Sequence, residues 1–105
     1  MGTPRATYII LWKFQAKKGR EAEFEHAYGP QGEWVQFFRK GKGYIKTELY
    51  HDNDDAYLTI DEWTSQEAYE KFKLDFSSEY HMLDKKFEEL TEEEIHIGST
   101  TRALP

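Results

Sequence analysis

"YLTIDEWTSQEAYEKF", residues 57–72, changes its period halfway along. Residues 57–63 alternate apolar and polar side chains, the two-residue repeat of a strand with two unlike faces. From Ala68 the spacing lengthens to that of a helix, with Phe72, Phe76, Tyr80, Leu83 and Phe87 forming an apolar stripe over some five turns. Between the two, Thr64 with Glu67 fits a capping box, in which each side chain satisfies an orphan amide at the helix start. "DFSSEY", 75–80, loosens the helix midway. Trp63, Tyr69 and Phe72 thus fall close together, either as plugs in a core or as walls of a pocket.

Upstream, "YIKTELY" (44–50) is a second alternating segment. It puts Ile45, Thr47 and Leu49 on one face and Tyr44, Lys46, Glu48 and Tyr50 on the other. The polar "HDNDDA" turns it into the strand that follows, making a hairpin. Two helical pieces precede it, one with Phe24, Ala27 and Tyr28 at i, i+3 and i+4, the other "EWVQFFRK" (33–40) with Trp34 and Phe38 four apart. "GPQG" (29–32) separates them, since proline disfavours helix at the residue before it. The β-branched and aromatic "TYIILWKFQ" (7–15) reads as a strand with Tyr8, Ile10, Trp12 and Phe14 on one face, and "EEIHIGSTTR" (93–102) reads as the last strand.

The order is β-α-β-β-α-β, which predicts a ferredoxin-like α+β fold: an antiparallel four-stranded sheet with the helices on one face. A single domain over 1–105 is expected, with its core at about 7–102 and flexible ends at 1–6 and 103–105. The helices leave the other sheet face uncovered, and an apolar face of that size predicts a homodimer packed sheet against sheet.

Composition narrows the function classes. A net charge of −6 and basic residues scattered in pairs argue against nucleic acid, which needs a concentrated basic face. No apolar run approaches the ~20 residues that span a bilayer. Neither a signal peptide nor a transit character marks the N-terminus, so a soluble cytoplasmic protein is expected. There is no cysteine, hence no thiol nucleophile or thiolate metal site. Aromatics are 16% of residues and Val35 is the single valine, so the core is built from rings, which leave odd-shaped gaps more readily than aliphatic side chains. Glycine-rich phosphate loops, nucleophile elbows and zinc-ligand spacings are absent. His51 opens a charged turn whose spacing is too short for a calcium loop.

Four stretches carry a family resemblance: "ILWKF" on the first strand, "KKGREAEFEHAYGPQGEWVQFFRKGKGY" through the first helices, "YLTIDEWTSQEAYEKF", and "IGSTT" near the end. Together they resemble the antibiotic biosynthesis monooxygenase family of dimeric α+β barrels. The resemblance implies one of two chemistries. Some members oxidise phenols to quinones with dioxygen and no cofactor; others bind and degrade haem through an axial histidine on the second helix. For the first, it implies a flat phenol or quinol between sheet and helices, walled by Trp12, Trp34, Thr59, Trp63 and Phe72. Tyr69 would act beside Trp63 to orient its oxygens, with His26 or His81 as proton acceptor. Thr59 stands where the quinone-forming members carry Asn, and Lys85 and Lys86 stand in the region of their Arg. For the second, His81 would be the haem ligand, with the bulky Trp12 where relatives carry Asn. A non-catalytic dimeric module, its rings simply packed, is the third reading; the size of the cavity separates it from the other two.

Overall fold

The computed structural model describes residues 6–52 and 56–103. The ends at 1–5 and 104–105 and the hairpin tip at 53–55 lie outside the described residues, and with them most of the expected flexible ends and the middle of the charged turn. In chain order the elements are β1 (Tyr8–Ala16), α1 (Glu21–Tyr28), α2 (Glu33–Phe38), β2 (Tyr44–His51), β3 (Ala56–Trp63), α3 (Gln66–Asp75), α4 (Ser77–Phe87), a 3₁₀ turn (Glu88–Leu90) and β4 (Thr91–Thr101). The sheet runs β2-β3-β1-β4 with every neighbouring pair antiparallel, the ferredoxin-like arrangement.

One face of this sheet meets the helices. From β1 it offers Ile10 and Phe14, and from β3 Tyr57, Thr59, Asp61 and Trp63, all buried. Phe24 stacks on Tyr28 with centroids 4.4 Å apart, and Phe37 packs on Phe72 at 4.8 Å. Four of the six residues of α2 are buried, because this short helix lies inside the layer. The helix expected from Ala68 onward is divided at Phe76, whose φ of −120° ends α3 and opens α4.

Three details differ from the sequence reading. The cap of α3 falls one residue later: Ser65 Oγ accepts from the Ala68 amide at 3.0 Å. Thr64 instead donates its amide to the Gly43 carbonyl at 2.7 Å, closing the chain behind β2. Gly43 has φ +95°, and a Cβ there would meet Thr64 Oγ1 at 2.4 Å, so the turn depends on glycine. Third, the clean alternation of β2 is broken by a register shift between Tyr44 and Lys46. Tyr44 therefore packs inward against Phe38 and Trp63, on the same side as Thr47 and Leu49, while Ile45 is 43% exposed. A bulge adds one residue to one strand, and every side chain beyond it changes face.

The outward face carries Ile9, Leu11, Leu58 and Ile60, half-buried, with Tyr50 and Ile95 exposed around them. No described segment of the chain covers it. Among the described residues no helix is long and apolar enough to cross a membrane.

Candidate functional site

Between the sheet and the helices, the layer leaves a cleft. β1 supplies Trp12, β3 supplies Thr59 and Asp61, α2 supplies Trp34, and α3 and α4 supply Tyr69 and Tyr80. The cavity within it is about 40 Å³. That inner space holds about three waters.

The strand register explains who meets whom. Trp12 lies opposite Thr59, and both face the helices. On the other side of Trp12, β4 bulges at Ile97, so Trp12 pairs with His96 and their rings lie 4.9 Å apart. The bulge re-aims β4 beside the cleft, where Glu94 reaches its lining.

Asp61 is the unusual group. It is 8% exposed, on the floor, between Thr59 and Trp63 in the same alternating row. Thr47 donates to its Oδ1 at 2.6 Å, and Tyr44 donates in turn to Thr47 Oγ1 at 2.8 Å. No other hydrogen bond or ion pair engages the carboxyl among the described residues. Burial pushes it up to about 6, against the opposing pull of Thr47. The tyrosines around it shift the same way. Burial pushes Tyr80 up to about 12 and raises Tyr28 and Tyr69 too, Tyr69 additionally through the neighbouring Tyr80 hydroxyl. These phenols stay protonated at neutral pH and serve as hydrogen-bond groups, while Asp61 is poised to exchange a proton near neutrality.

Of the side chains singled out from sequence, Trp12, Trp34, Thr59 and Tyr69 line the cleft together. Trp63 and Phe72 do not; they lie behind it, fully buried among Phe38, Tyr44 and each other, with Trp63 and Phe72 centroids 5.1 Å apart. His81 is exposed on α4 beside Tyr80 and is not part of the lining. His26 is exposed on α1 and borders a separate groove with Arg20, Glu23 and Lys86. Among the described residues, then, no imidazole lines the cleft. His51 stacks on Tyr57 at 4.4 Å, at the far end of the hairpin. Among the described residues no group of three or more His, Cys, Asp or Glu is placed to hold a metal ion.

Sequence reasoning passed over Asp61, Thr47, Tyr28, Tyr80, Asp84 and Glu94, all of which line the cleft. A signal for Asp61 was present. The alternation that turns Thr59 and Trp63 inward places Asp61 between them, a charged residue in a row otherwise inward and mostly apolar.

The family model for antibiotic biosynthesis monooxygenases matches residues 7–74, more than half of the chain and all of β1 through most of α3. The chain belongs to this family. Solved structures of the same fold include SnoaB of Streptomyces nogalater, described as a cofactor-independent oxygenase. It is 21% identical with a TM-score of 0.70, the match covering 95% of this chain and 96% of that one. PA3566 of Pseudomonas aeruginosa is 14% identical with a TM-score of 0.68 over 98% of this chain and 100% of its own. SO0527 of Shewanella oneidensis is 13% identical at 0.66, over 94% and 93%. No curated protein matches the sequence. At these identities the likeness establishes a shared fold, and the chemistry of this monooxygenase-family member has to be argued from its own cleft.

Proposed function

We propose that this protein is a cofactor-independent monooxygenase that oxidises a flat phenol or quinol in the cleft between sheet and helices. The observation that carries this reading is a buried carboxylate, Asp61, in an aromatic-walled cleft, with a hydrogen bond from Thr47 as its one partner among the described residues. Asp61, in place of His26 or His81, takes the phenolic or benzylic proton. The resulting anion, held away from water, gives one electron to dioxygen, and the radical pair combines to a peroxide. Loss of water leaves the quinone. One oxygen atom enters the product, the other departs as water, and the substrate supplies all four electrons, so no external reductant is needed. Trp12, Trp34 and Tyr69 hold the ring system, and Thr59 and the tyrosine hydroxyls position its oxygens. Family membership and the fold shared with an oxygenase such as SnoaB support the reading.

Its test is oxygen uptake with a panel of anthrones, naphthols and quinols. Turnover is expected for at least one, with the quinone appearing as oxygen disappears, and Asp61→Asn is expected to slow it by about 10²-fold or more. Undiminished turnover by Asp61→Asn would remove the carboxylate from the mechanism.

One observation favours a second reading, a dimeric module without chemistry: the resting inner space is a few waters, and ligand sites usually offer ~300 Å³ or more. Under the oxygenase reading the half-buried Tyr69, Tyr80 and Trp12 swing aside to admit the ring. A panel that binds without consuming oxygen, or fails to bind, decides for the module. Both readings place a second copy on the outward face around Leu11 and Ile60; sedimentation showing a monomer at micromolar concentration would contradict that placement.

A further inference from the structure

The cleft is polar in one sense only. Among its described lining residues stand three carboxylates from three elements, Asp61 on β3, Asp84 on α4 and Glu94 on β4, and no lysine, arginine or histidine. Partial burial raises Glu94, and Asp84 raises it further; Asp84 also adds to the shift of Tyr80. Asp84 and Glu94 therefore feel one another, and the Tyr80 hydroxyl between the acids feels all three. Nor do they suit an inorganic ion, since no group of three such side chains among the described residues is placed to hold one. What stands between them is rings: Trp12, Tyr28, Trp34, Tyr69 and Tyr80. Aromatic walls interleaved with spaced carboxylates are the chemistry that recognises an organic ammonium group, through cation–π attraction and charge-assisted hydrogen bonds. The protein already shows the first of these at the edge of the cleft. The exposed Lys73 ammonium lies 5.4 Å from the Tyr69 centroid and 5.5 Å from that of Tyr80. A second, independent feature concerns the ring end of such a ligand. Among the described residues the buried Trp34 indole N–H, like that of Trp63, has no partner within strict hydrogen-bond geometry, the Tyr28 hydroxyl being near enough to be influenced by it. Trp34 is 7% exposed and lines the cleft, so a ligand oxygen would satisfy this donor.

We propose that the cleft selects aromatic ligands by charge, admitting those that carry a protonated amine and rejecting those that carry a carboxylate. The proposal rests on the reading that the cleft binds an aromatic ring, and it goes further by naming the charge of the substrate class.

Three matched probes test it: 6-(aminomethyl)-2-naphthol, 2-naphthol and 6-hydroxy-2-naphthoic acid, titrated at pH 7.5 against the intrinsic tryptophan fluorescence and by calorimetry. The amine is expected to bind at least about tenfold more tightly than the acid, with the neutral naphthol between them. The ratio should shrink toward unity in Asp61→Asn/Asp84→Asn and on raising the salt from 0.05 to 0.5 M. If the double variant fails to fold by circular dichroism, Glu94→Gln, at the exposed mouth, serves in its place and should lower the ratio by a smaller factor. Equal affinities, or tighter binding of the acid, would overturn the charge selection while leaving ring binding in place. Saturation by none of the three would overturn ring binding itself and the selection with it.

Discussion

Two neighbouring ring clusters share one helical layer and do opposite things. Around Trp63, the rings of Phe38, Tyr44 and Phe72 close within 5.1 to 5.9 Å and leave no room. Even Gly41 is shaped by them, since a Cβ there would come within 2.6 Å of the Phe72 ring. A few residues away, Trp12, Trp34, Tyr69 and Tyr80 surround a void floored by Asp61. The residue types are much the same. The difference lies in what accompanies the rings: chiefly rings and backbone in the first cluster, a carboxylate and several hydroxyls in the second. Dense apolar packing stabilises and cannot open, whereas a buried charge destabilises and is kept where chemistry uses it.

If that contrast is right, truncation should cost unequally. Trp63→Ala is expected to remove about 4 kcal/mol of stability, the range for emptying a filled aromatic site, and Tyr69→Ala less than half of that, because its ring is only half-buried beside existing space. Urea unfolding of both variants measures the gap, and equal losses would erase the distinction.

The floor should respond to pH in the opposite sense from the usual salt-bridged acid. The folded state raises Asp61 from 3.8 to about 6, so between those values the native protein holds a proton that the unfolded chain has released. The contribution of this group to stability is thus largest below about pH 4 and declines as pH rises through 6, by about 3 kcal/mol in all. Asp61→Asn should therefore be more stable than wild type at pH 8 and no more stable at pH 4, a crossing that thermal melts across the range would reveal. An Asn variant less stable at every pH would mean that the carboxylate is structural and not poised.

The smallest effect tests the filled half at its edge. Gly43→Ala is expected to cost about 2 kcal/mol, from a positive φ and from the contact with Thr64, without altering ligand binding in the cleft. A melt and a naphthol titration on the same sample separate the two.

Much of this was legible from local pattern. The switch of period at Thr64 gave β3 and α3, the β-branched and aromatic run of 7–15 gave β1, and the glycine–proline break at 29–32 divided α1 from α2, because these features rest on nearest-neighbour geometry. The site was legible in part. Trp12 and Thr59 could be placed on one face by parity, yet parity equally put Asp61 there, and attention to rings passed over it. His26 and His81 drew attention as imidazoles on the helices, but their helices turn them to solvent.

The sequence by itself determined the order of elements, the ring-built core and the faces of the regular strands, since each follows from side-chain period and backbone preference over a few residues. Only the tertiary structure decided that Trp63 is core and Trp34 is wall, that Tyr44 turns inward and Ile45 outward, and that Asp61, Asp84 and Glu94 share one cleft. Those outcomes depend on a bulge in β2, a bulge in β4 and the seating of α2 and α4 over the sheet, which are contacts between segments far apart in the chain, and no local period encodes them.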